Sequence, residues 1–179
     1  MVCPRCIDAV EQSLSDAGLR QETVRLGEAV LQSPPEQAAL EQLEADLRAK
    51  GFELIPPGDE QLGAQIKSEI IRFQQQIEAG AAPGLLSDWL SSKLNKNYSY
   101  LSGQFTQTSG HTITQFYEKL RTERAKELLA LNRLSVGEIA LTLGYSSSQH
   151  FSARFREQTG LSPTAWRQKG GERRSLDAI

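Results

Sequence analysis

The sequence predicts a mainly α-helical protein with a small α+β domain at its N-terminus. Apolar residues recur at helical spacing through most of residues 84–170, which predicts an all-α C-terminal domain. Two short alternating segments on either side of Gly27 predict a β-hairpin near the N-terminus. Alanine, proline and glycine residues at 81–84 mark a domain boundary, and 179 residues suffice for two small domains with separate cores.

Residues 135–168 carry the most informative pattern in the chain. A short apolar helix containing Ala140 leads to Gly144, and the next helix has Phe151 and Phe155 on one face. The small Ala140 lets the helices cross closely, and Gly144 permits the backbone conformation of a sharp corner. The pattern predicts a helix-turn-helix motif whose second helix keeps its opposite face free for a DNA major groove.

A related pattern lies upstream, in residues 84–110. Its inward-facing residues at helical spacing are Leu86, Trp89, Leu90, Leu94, Leu101 and Phe105. A helix predicted from Thr112 to Leu131 joins the two motifs. At 1.5 Å per residue this helix is about 30 Å long, close to the roughly 34 Å between successive major-groove faces of B-DNA. One chain is therefore expected to present two recognition helices to one side of a duplex.

Through these motifs, residues 84–169 resemble the AraC family of bacterial transcription regulators. The resemblance implies an all-α double helix-turn-helix domain that binds double-stranded DNA. The implied base-facing positions are Ser148, Gln149, Ser152 and Ala153 with Arg154 alongside in the second motif, and Ser99, Ser102 and Gly103 in the first. Gln149 is the best candidate for direct readout, because an amide can bond an adenine edge in two places.

The first motif carries short, uncharged side chains at its implied base-facing positions. Family members often have an arginine where Gly103 stands, so this motif is expected to bind DNA through its backbone and shape. Small further contributions to DNA binding are expected from Tyr100, Gln104 and Lys96.

Charge separates the two halves of the chain. Residues 84–179 hold 13 Lys or Arg against 8 Asp or Glu, whereas residues 1–83 hold 7 against 14. A basic half attracts phosphate, and an acidic half lowers non-specific adhesion to nucleic acid. The candidates for phosphate contact are Arg121, Arg156, Arg167 and Lys169, and any one of them could instead be a solvated surface charge.

Residues 1–57 predict a second domain, which opens with the segment MVCPRC. The predicted order is a helix from Ile7, the hairpin at Gly27, a helix opened by Pro34 and Pro35, and a final strand over residues 52–57. This order after a Cys-x-x-Cys loop resembles the heavy-metal-associated domain. That resemblance implies a ferredoxin-like βαββαβ fold, here truncated by the lack of a complete first strand.

The same resemblance implies a soft-metal site, with Met1, Cys3 and Cys6 at the positions of the family's loop. Two thiolates suit Cu(I), which favours sulfur and accepts low coordination numbers. A closed zinc site needs about four ligands, and His111 and His150 both lie in the other half. The alternatives are a domain that only dimerises, and a redox-active dithiol.

Residues 58–83 predict a helical linker, and residues 171–179 a flexible tail. The linker carries an apolar stripe made of Leu62, Ile66, Ile70, Phe73 and Ile77. The heptad-like spacing of its last four members indicates a dimerisation helix. Packing of the stripe on the chain's own domains is the equal alternative.

Taken together, these patterns predict a cytoplasmic, sequence-specific DNA-binding transcription regulator that can form a homodimer. Its N-terminal domain is expected to sense a ligand, with copper or another soft metal ion as the candidate, or to dimerise. The competing interpretation is a metal-binding or metal-trafficking protein, or a thiol redox sensor, with the helical half as an accessory. No catalytic motif points to an enzyme, and no apolar run approaches the 18 residues of a membrane span.

Overall fold

The computed structural model describes residues 4–55 and 58–169. The chain divides into two compact units, Met1–Ser68 (unit 1) and Glu69–Ile179 (unit 2). The described residues are mostly helical and include one two-stranded antiparallel sheet, which confirms the predicted mainly α-helical class. None of the described helices is both long enough and apolar enough to cross a membrane.

Unit 1 is built from two complete helices, a hairpin and the first half of a third helix. Its elements are α1 (Pro4–Asp16), β1 (Gln21–Arg25), β2 (Glu28–Leu31), α2 (Gln37–Ala49) and the first half of α3 (Asp59–Glu78). The predicted inward residues Val10, Leu14, Leu43 and Leu47 form its buried core, because they line facing stripes of α1 and α2. The hairpin turns at Gly27, as predicted, where φ is +80°.

The predicted final strand at residues 52–57 is wrong over the described residues 52–55, which have no regular structure. The Phe52 N–H donates to the Leu47 carbonyl at 2.8 Å, and the Gly51 N–H donates to the Arg48 carbonyl at 3.1 Å. These two bonds, with φ +80° at Gly51, close the end of α2 as a Schellman motif. Phe52 then packs on the core of unit 1, so this backbone caps a helix instead of extending a sheet.

The ferredoxin-like fold predicted for the N-terminal domain is not confirmed. Within the described residues the only sheet is the β1–β2 hairpin, whereas the resemblance implied a larger one. Met1 and Cys3, two of the three implied metal-site residues, lie outside the described residues. The third, Cys6, lies in the first turn of α1, which begins at Pro4 and not at the predicted Ile7.

Unit 2 contains both predicted helix-turn-helix motifs. Its elements after α3 are α4 (Leu86–Leu94), α5 (Tyr98–Ser109), α6 (Ile113–Leu131), α7 (Val136–Thr142), α8 (Ser148–Thr159) and α9 (Pro163–Lys169). The predicted joining helix is α6, with 19 residues. Capping boxes fix the starts of α6 and α7, through Thr112 with Gln115 and through Ser135 with Glu138.

The apolar stripe of α3 is buried within the chain. Ile66 and Ile70 have no exposed surface, and Phe73 retains 4%. A dimerisation seam needs these side chains to be exposed on the monomer. The burial of these side chains favours the alternative, packing within the chain, over the dimerisation role.

Candidate nucleic-acid interface

Helix α8 is anchored by the two phenylalanines that the sequence singled out. Phe151 and Phe155 each retain 1% of their exposed surface. They pack in a core with, among others, Ala140 on α7 and Ala125 and Leu129 on α6. Because one face of α8 is held in this core, the opposite face is exposed and fixed in direction.

The N-terminus of α8 is capped by a residue that the sequence analysis did not single out. The Ser147 hydroxyl accepts a hydrogen bond from the His150 N–H at 3.1 Å. Three consecutive serines, at 146–148, offered the signal, but the sequence did not show which of them is the cap. The cap leaves Gln149 exposed and Ser148 half-buried in the first turn, the part of a recognition helix that reaches base edges.

The remaining candidates on α8 are all at least partly accessible. Arg154 and Arg156 are exposed, and Ser152 is half-buried. Arg154 donates to Glu157 at 2.8 Å, and this hydrogen bond raises the pKa of the Arg154 guanidinium. Both partners are about half exposed or more, so the pair is weak and can open to another acceptor.

His150 lies beside the corner that precedes α8. It is exposed, and its ring meets the Tyr145 ring edge-on, with 5.6 Å between the ring centres. Within residues 4–55 and 58–169, no group of three His, Cys, Asp or Glu side chains is arranged to hold a metal ion.

Helix α5, the recognition helix of the first motif, is capped by Asn97, whose side chain accepts from the Tyr100 N–H at 2.7 Å. Leu101 and Phe105 are fully buried and anchor it. Ser99 and Tyr100 are exposed, Ser102 is half-buried, and α5 contains no charged residue. Lys96, just before the helix, lies over the Tyr100 ring at 5.3 Å from its centre.

Gly103 is an open position of α5. A Cβ built at this residue would meet no atom within 4 Å, and its φ is not in the left-handed region. Packing therefore does not require glycine here, although glycine within a helix costs about 0.5–1 kcal/mol relative to alanine. The face that contains Gly103 has room for a partner to approach the α5 backbone.

The structure places Arg121 inside unit 2, not on its surface. It retains 8% of its exposed surface, pairs with Glu118 at 3.2 Å, and stacks on Tyr145 with 3.4 Å from the guanidinium carbon to the ring centre. It also lies 5.2 Å from the Tyr117 ring centre. Arg121 was a candidate for phosphate contact, but a buried, stacked guanidinium is a structural group, and it leaves the proposed contact set.

Arg167 is half-buried, and its guanidinium donates to the Leu134 carbonyl at 2.7 Å. This bond ties α9 to the loop between α6 and α7. Arg156 and Lys169 are exposed. Of the predicted phosphate contacts, Arg156 and Lys169 are accessible enough to bind a phosphate, and Arg167 is partly accessible.

Comparisons with known proteins agree with this geometry. A family model described as a helix-turn-helix domain matches residues 90–169, from within α4 to the end of α9. The HTH-type transcriptional activator RhaR of Cronobacter sakazakii is 40% identical over 67 residues, which cover 37% of this chain and 24% of RhaR. RhaR of Escherichia coli K12 is 37% identical over the same share of each. The chain thus matches about a quarter of the length of these curated relatives.

Two solved structures share the fold. The C-terminal domain of AraT, a response regulator from Geobacillus stearothermophilus, has a TM-score of 0.53 and 27% identity, covering 64% of this chain and 88% of that one. An AraC-type DNA-binding-domain regulator from Chromobacterium violaceum has a TM-score of 0.50 and 28% identity, covering 62% and 96%. Residues 90–169 therefore form a helix-turn-helix domain, and the chain shares its fold with solved domains that include an AraC-type DNA-binding domain.

Proposed function

We propose that this protein is a sequence-specific DNA-binding transcription regulator whose unit 2 contacts duplex DNA. The observation that carries the proposal is the pair of capped recognition helices, α5 and α8, each anchored by buried aromatic or leucine side chains and each with an exposed polar first turn. Helix α6 joins the two motifs, and its 19 residues give a length of about 29 Å. That length suits two successive major-groove faces of one duplex.

The two motifs contribute differently to the proposed interface. In the second motif, Gln149 reads base edges while Arg154 and Arg156 bind phosphate or bases, because all three are exposed on α8. In the first motif, the uncharged α5 approaches DNA closely, and its hydroxyl groups and backbone contact the duplex. Ser148, Ser152, Ser99, Tyr100, Ser102 and Arg167 complete the proposed contact set.

Selection from a library of random 30-base-pair duplexes tests this function. The full chain should enrich a sequence with two elements about one helical turn apart, and the element read by α8 should be the more strongly specified. Failure to enrich any sequence at moderate salt would contradict the proposal. The variant Gln149→Ala should specify the element read by α8 less strongly than the wild-type chain, because it removes one exposed amide without touching the core.

We further propose that unit 1 regulates DNA binding, either by sensing a ligand or by forming a homodimer. The sensing form is supported by the MVCPRC segment, in which Cys3 and Cys6 offer two sulfur ligands of the kind that Cu(I) prefers. The dimerisation form needs no metal. The division of charge between the two halves supports a separate role for unit 1 in either form.

Titration of the selected duplex with and without Cu(I), under reducing conditions, separates these two forms. If Cu(I) is sensed, each chain should bind one Cu(I) ion, and this binding should change the affinity for the operator. A ligand regulates only when its affinity differs between two states of the protein. The double variant Cys3→Ser/Cys6→Ser should lose both effects. Equal operator affinities with and without the metal would leave dimerisation as the role of unit 1, measurable by sedimentation.

A further inference from the structure

The second half of α3, residues 69–78, contacts three other parts of unit 2. We propose that this segment, the α3 brace, is a positioning element that fixes the two recognition helices relative to each other. The brace would thereby set the spacing between DNA elements that the chain accepts, without touching DNA itself. The inference rests on the proposed function, since it concerns DNA binding by the same unit.

The first contact of the brace is with the first motif. The Phe73 ring meets the Trp89 ring of α4 edge-on, with 5.8 Å between the ring centres. The Trp89 indole N–H also donates to the Glu69 carboxylate at 3.2 Å. The ring contact and the hydrogen bond together fix the Trp89 side chain, so α4 has a defined position on the brace.

The second contact is with the joining helix α6. Phe73 meets Tyr117 edge-on at 5.8 Å, and the Tyr117 hydroxyl donates to the Gln74 side-chain oxygen at 3.0 Å. One turn further along the brace, and two turns further along α6, Arg124 donates to both carboxylate oxygens of Glu78, at 3.1 and 2.6 Å. A two-bond pair of this kind fixes orientation as well as distance, so the brace is held in register along α6.

The third contact is with the corner of the second motif. Gly144 lies between α7 and α8 with φ +75°, and the Ile77 side chain sits directly against it. A Cβ at Gly144 would stand 2.8 Å from Ile77 Cγ2, closer than such atoms approach in proteins. Glycine therefore serves two purposes here, because it permits both the turn and the close approach of Ile77.

Together these contacts link the two motifs through a path other than α6. Close-packed interiors transmit small displacements, so a larger side chain at Ile77 should shift the corner that leads into α8. The first motif, held through Trp89, should stay in place. The distance or angle between the two recognition helices would change while each helix keeps its own DNA-contacting side chains.

The test compares full-chain variants on duplexes of different spacing. The operator is first selected by the wild-type chain from random 30-base-pair duplexes, and versions with one base pair inserted or removed between its two elements are then prepared. Ile77→Phe enlarges the side chain at the corner, and Glu78→Gln removes the charge that pairs with Arg124. Gln75→Ala, at an exposed position of the same helix, is the control for unspecific effects.

A second control separates positioning from stability. Leu134→Ala removes a partly buried side chain from the core of the second motif and lies outside the brace. It should lower the affinity for every duplex by one common factor, through the fraction of unfolded protein. If Ile77→Phe fails to fold, Ile77→Val and Glu78→Gln carry the comparison.

We expect the brace variants to change the affinity ratio between the original and the altered spacing by roughly tenfold, which corresponds to about 1.4 kcal/mol. Their affinity for random DNA should stay within about twofold of the wild-type value, because the basic side chains are unchanged. An unchanged ratio, with all affinities lowered together as in Leu134→Ala, would overturn the positioning role. Failure of the wild-type chain to enrich any duplex would instead contradict the proposed function, and the brace with it.

Discussion

The guanidinium carbon of Arg121 lies 3.4 Å from the centre of the Tyr145 ring. Tyr145 follows the corner at Gly144 and is buried, and its hydroxyl lies 3.5 Å from the Glu118 carboxylate that also pairs with Arg121. A charged side chain of α6 thus holds the residue that leads into the second recognition helix. The positive charge of Arg121 therefore interacts with an aromatic face and a carboxylate inside the protein.

Replacement of Arg121 by methionine should destabilise the protein without removing a DNA contact. It leaves Glu118 without its ion pair and Tyr145 without its stacking partner, so we expect the free energy of unfolding to fall by about 3 kcal/mol. Urea denaturation measures this loss. Under conditions where the variant is folded, the slope of log affinity against log salt should equal that of the wild-type chain.

Arg156→Met is the matched comparison, because Arg156 is exposed on α8. Loss of one phosphate contact should make the salt slope less steep by about 0.9, with little change in stability. A salt slope that changes for Arg121→Met but not for Arg156→Met would return Arg121 to the DNA-contacting set.

The raised pKa of Tyr145 predicts that the protein loses stability at alkaline pH. Burial raises the pKa of Tyr145 from its ordinary value of 10.0 to about 12. Because the folded state holds this proton more tightly than the unfolded state, the associated stability is complete below pH 10 and is lost as the pH rises through 12. Urea midpoints across this range should fall less steeply for Tyr145→Phe than for the wild-type chain. Parallel pH profiles would show that Tyr145 does not contribute.

The helices of unit 2 were predictable because their signals are local. Apolar spacing and glycine corners act within a few residues of one another, so the corner at Gly144 was predicted directly from the sequence. The capping boxes at Thr112 and Ser135 are equally local, but the structure identified them. The inward positions Phe151 and Phe155 followed from spacing alone. That spacing also predicted that the opposite face of α8 is free, whereas the individual base-facing residues on it were implied by the resemblance to the AraC family.

Non-local contacts were not predictable in the same way. Arg121 was a candidate for phosphate contact or a solvated surface charge, and both interpretations required it to be exposed. Its burial depends on the approach of Tyr145, which is distant in sequence. The segment after α2 was assigned as a strand from its composition, but the Phe52 N–H caps the helix by bonding Leu47. The choice between a dimer seam and intrachain packing for α3 likewise depended on tertiary partners such as Trp89.

The second motif should carry more sequence discrimination than the first. Gln149→Ala or Arg154→Ala should reduce the free-energy gap between operator and random DNA by roughly 1 to 3 kcal/mol, the value of a lost two-bond base contact. Ser102→Ala should reduce it much less, because a half-buried hydroxyl on the uncharged α5 offers a weaker contact. Binding of all three variants to both duplexes checks the order. A larger loss for Ser102→Ala would reverse the assignment of the two motifs.

Gly103→Arg tests whether α5 lies against DNA at all. The position is open, so an arginine fits without displacing any atom within 4 Å of its Cβ. If the Gly103 face meets the duplex, the added cation should steepen the salt slope by about 0.9. The control Thr108→Arg is also exposed, but it lies about 140° around the helix from Gly103 and should change the slope less. Equal slopes for the two variants would place another face of α5, or none, at the DNA.

Competition between the selected operator and a scrambled duplex of the same length and composition tests the central claim most directly. The full chain should prefer the operator by at least about 10³-fold at physiological salt, and both affinities should fall steeply as salt rises. Equal affinities for the two duplexes, or an affinity that does not depend on salt, would contradict sequence-specific DNA binding by unit 2.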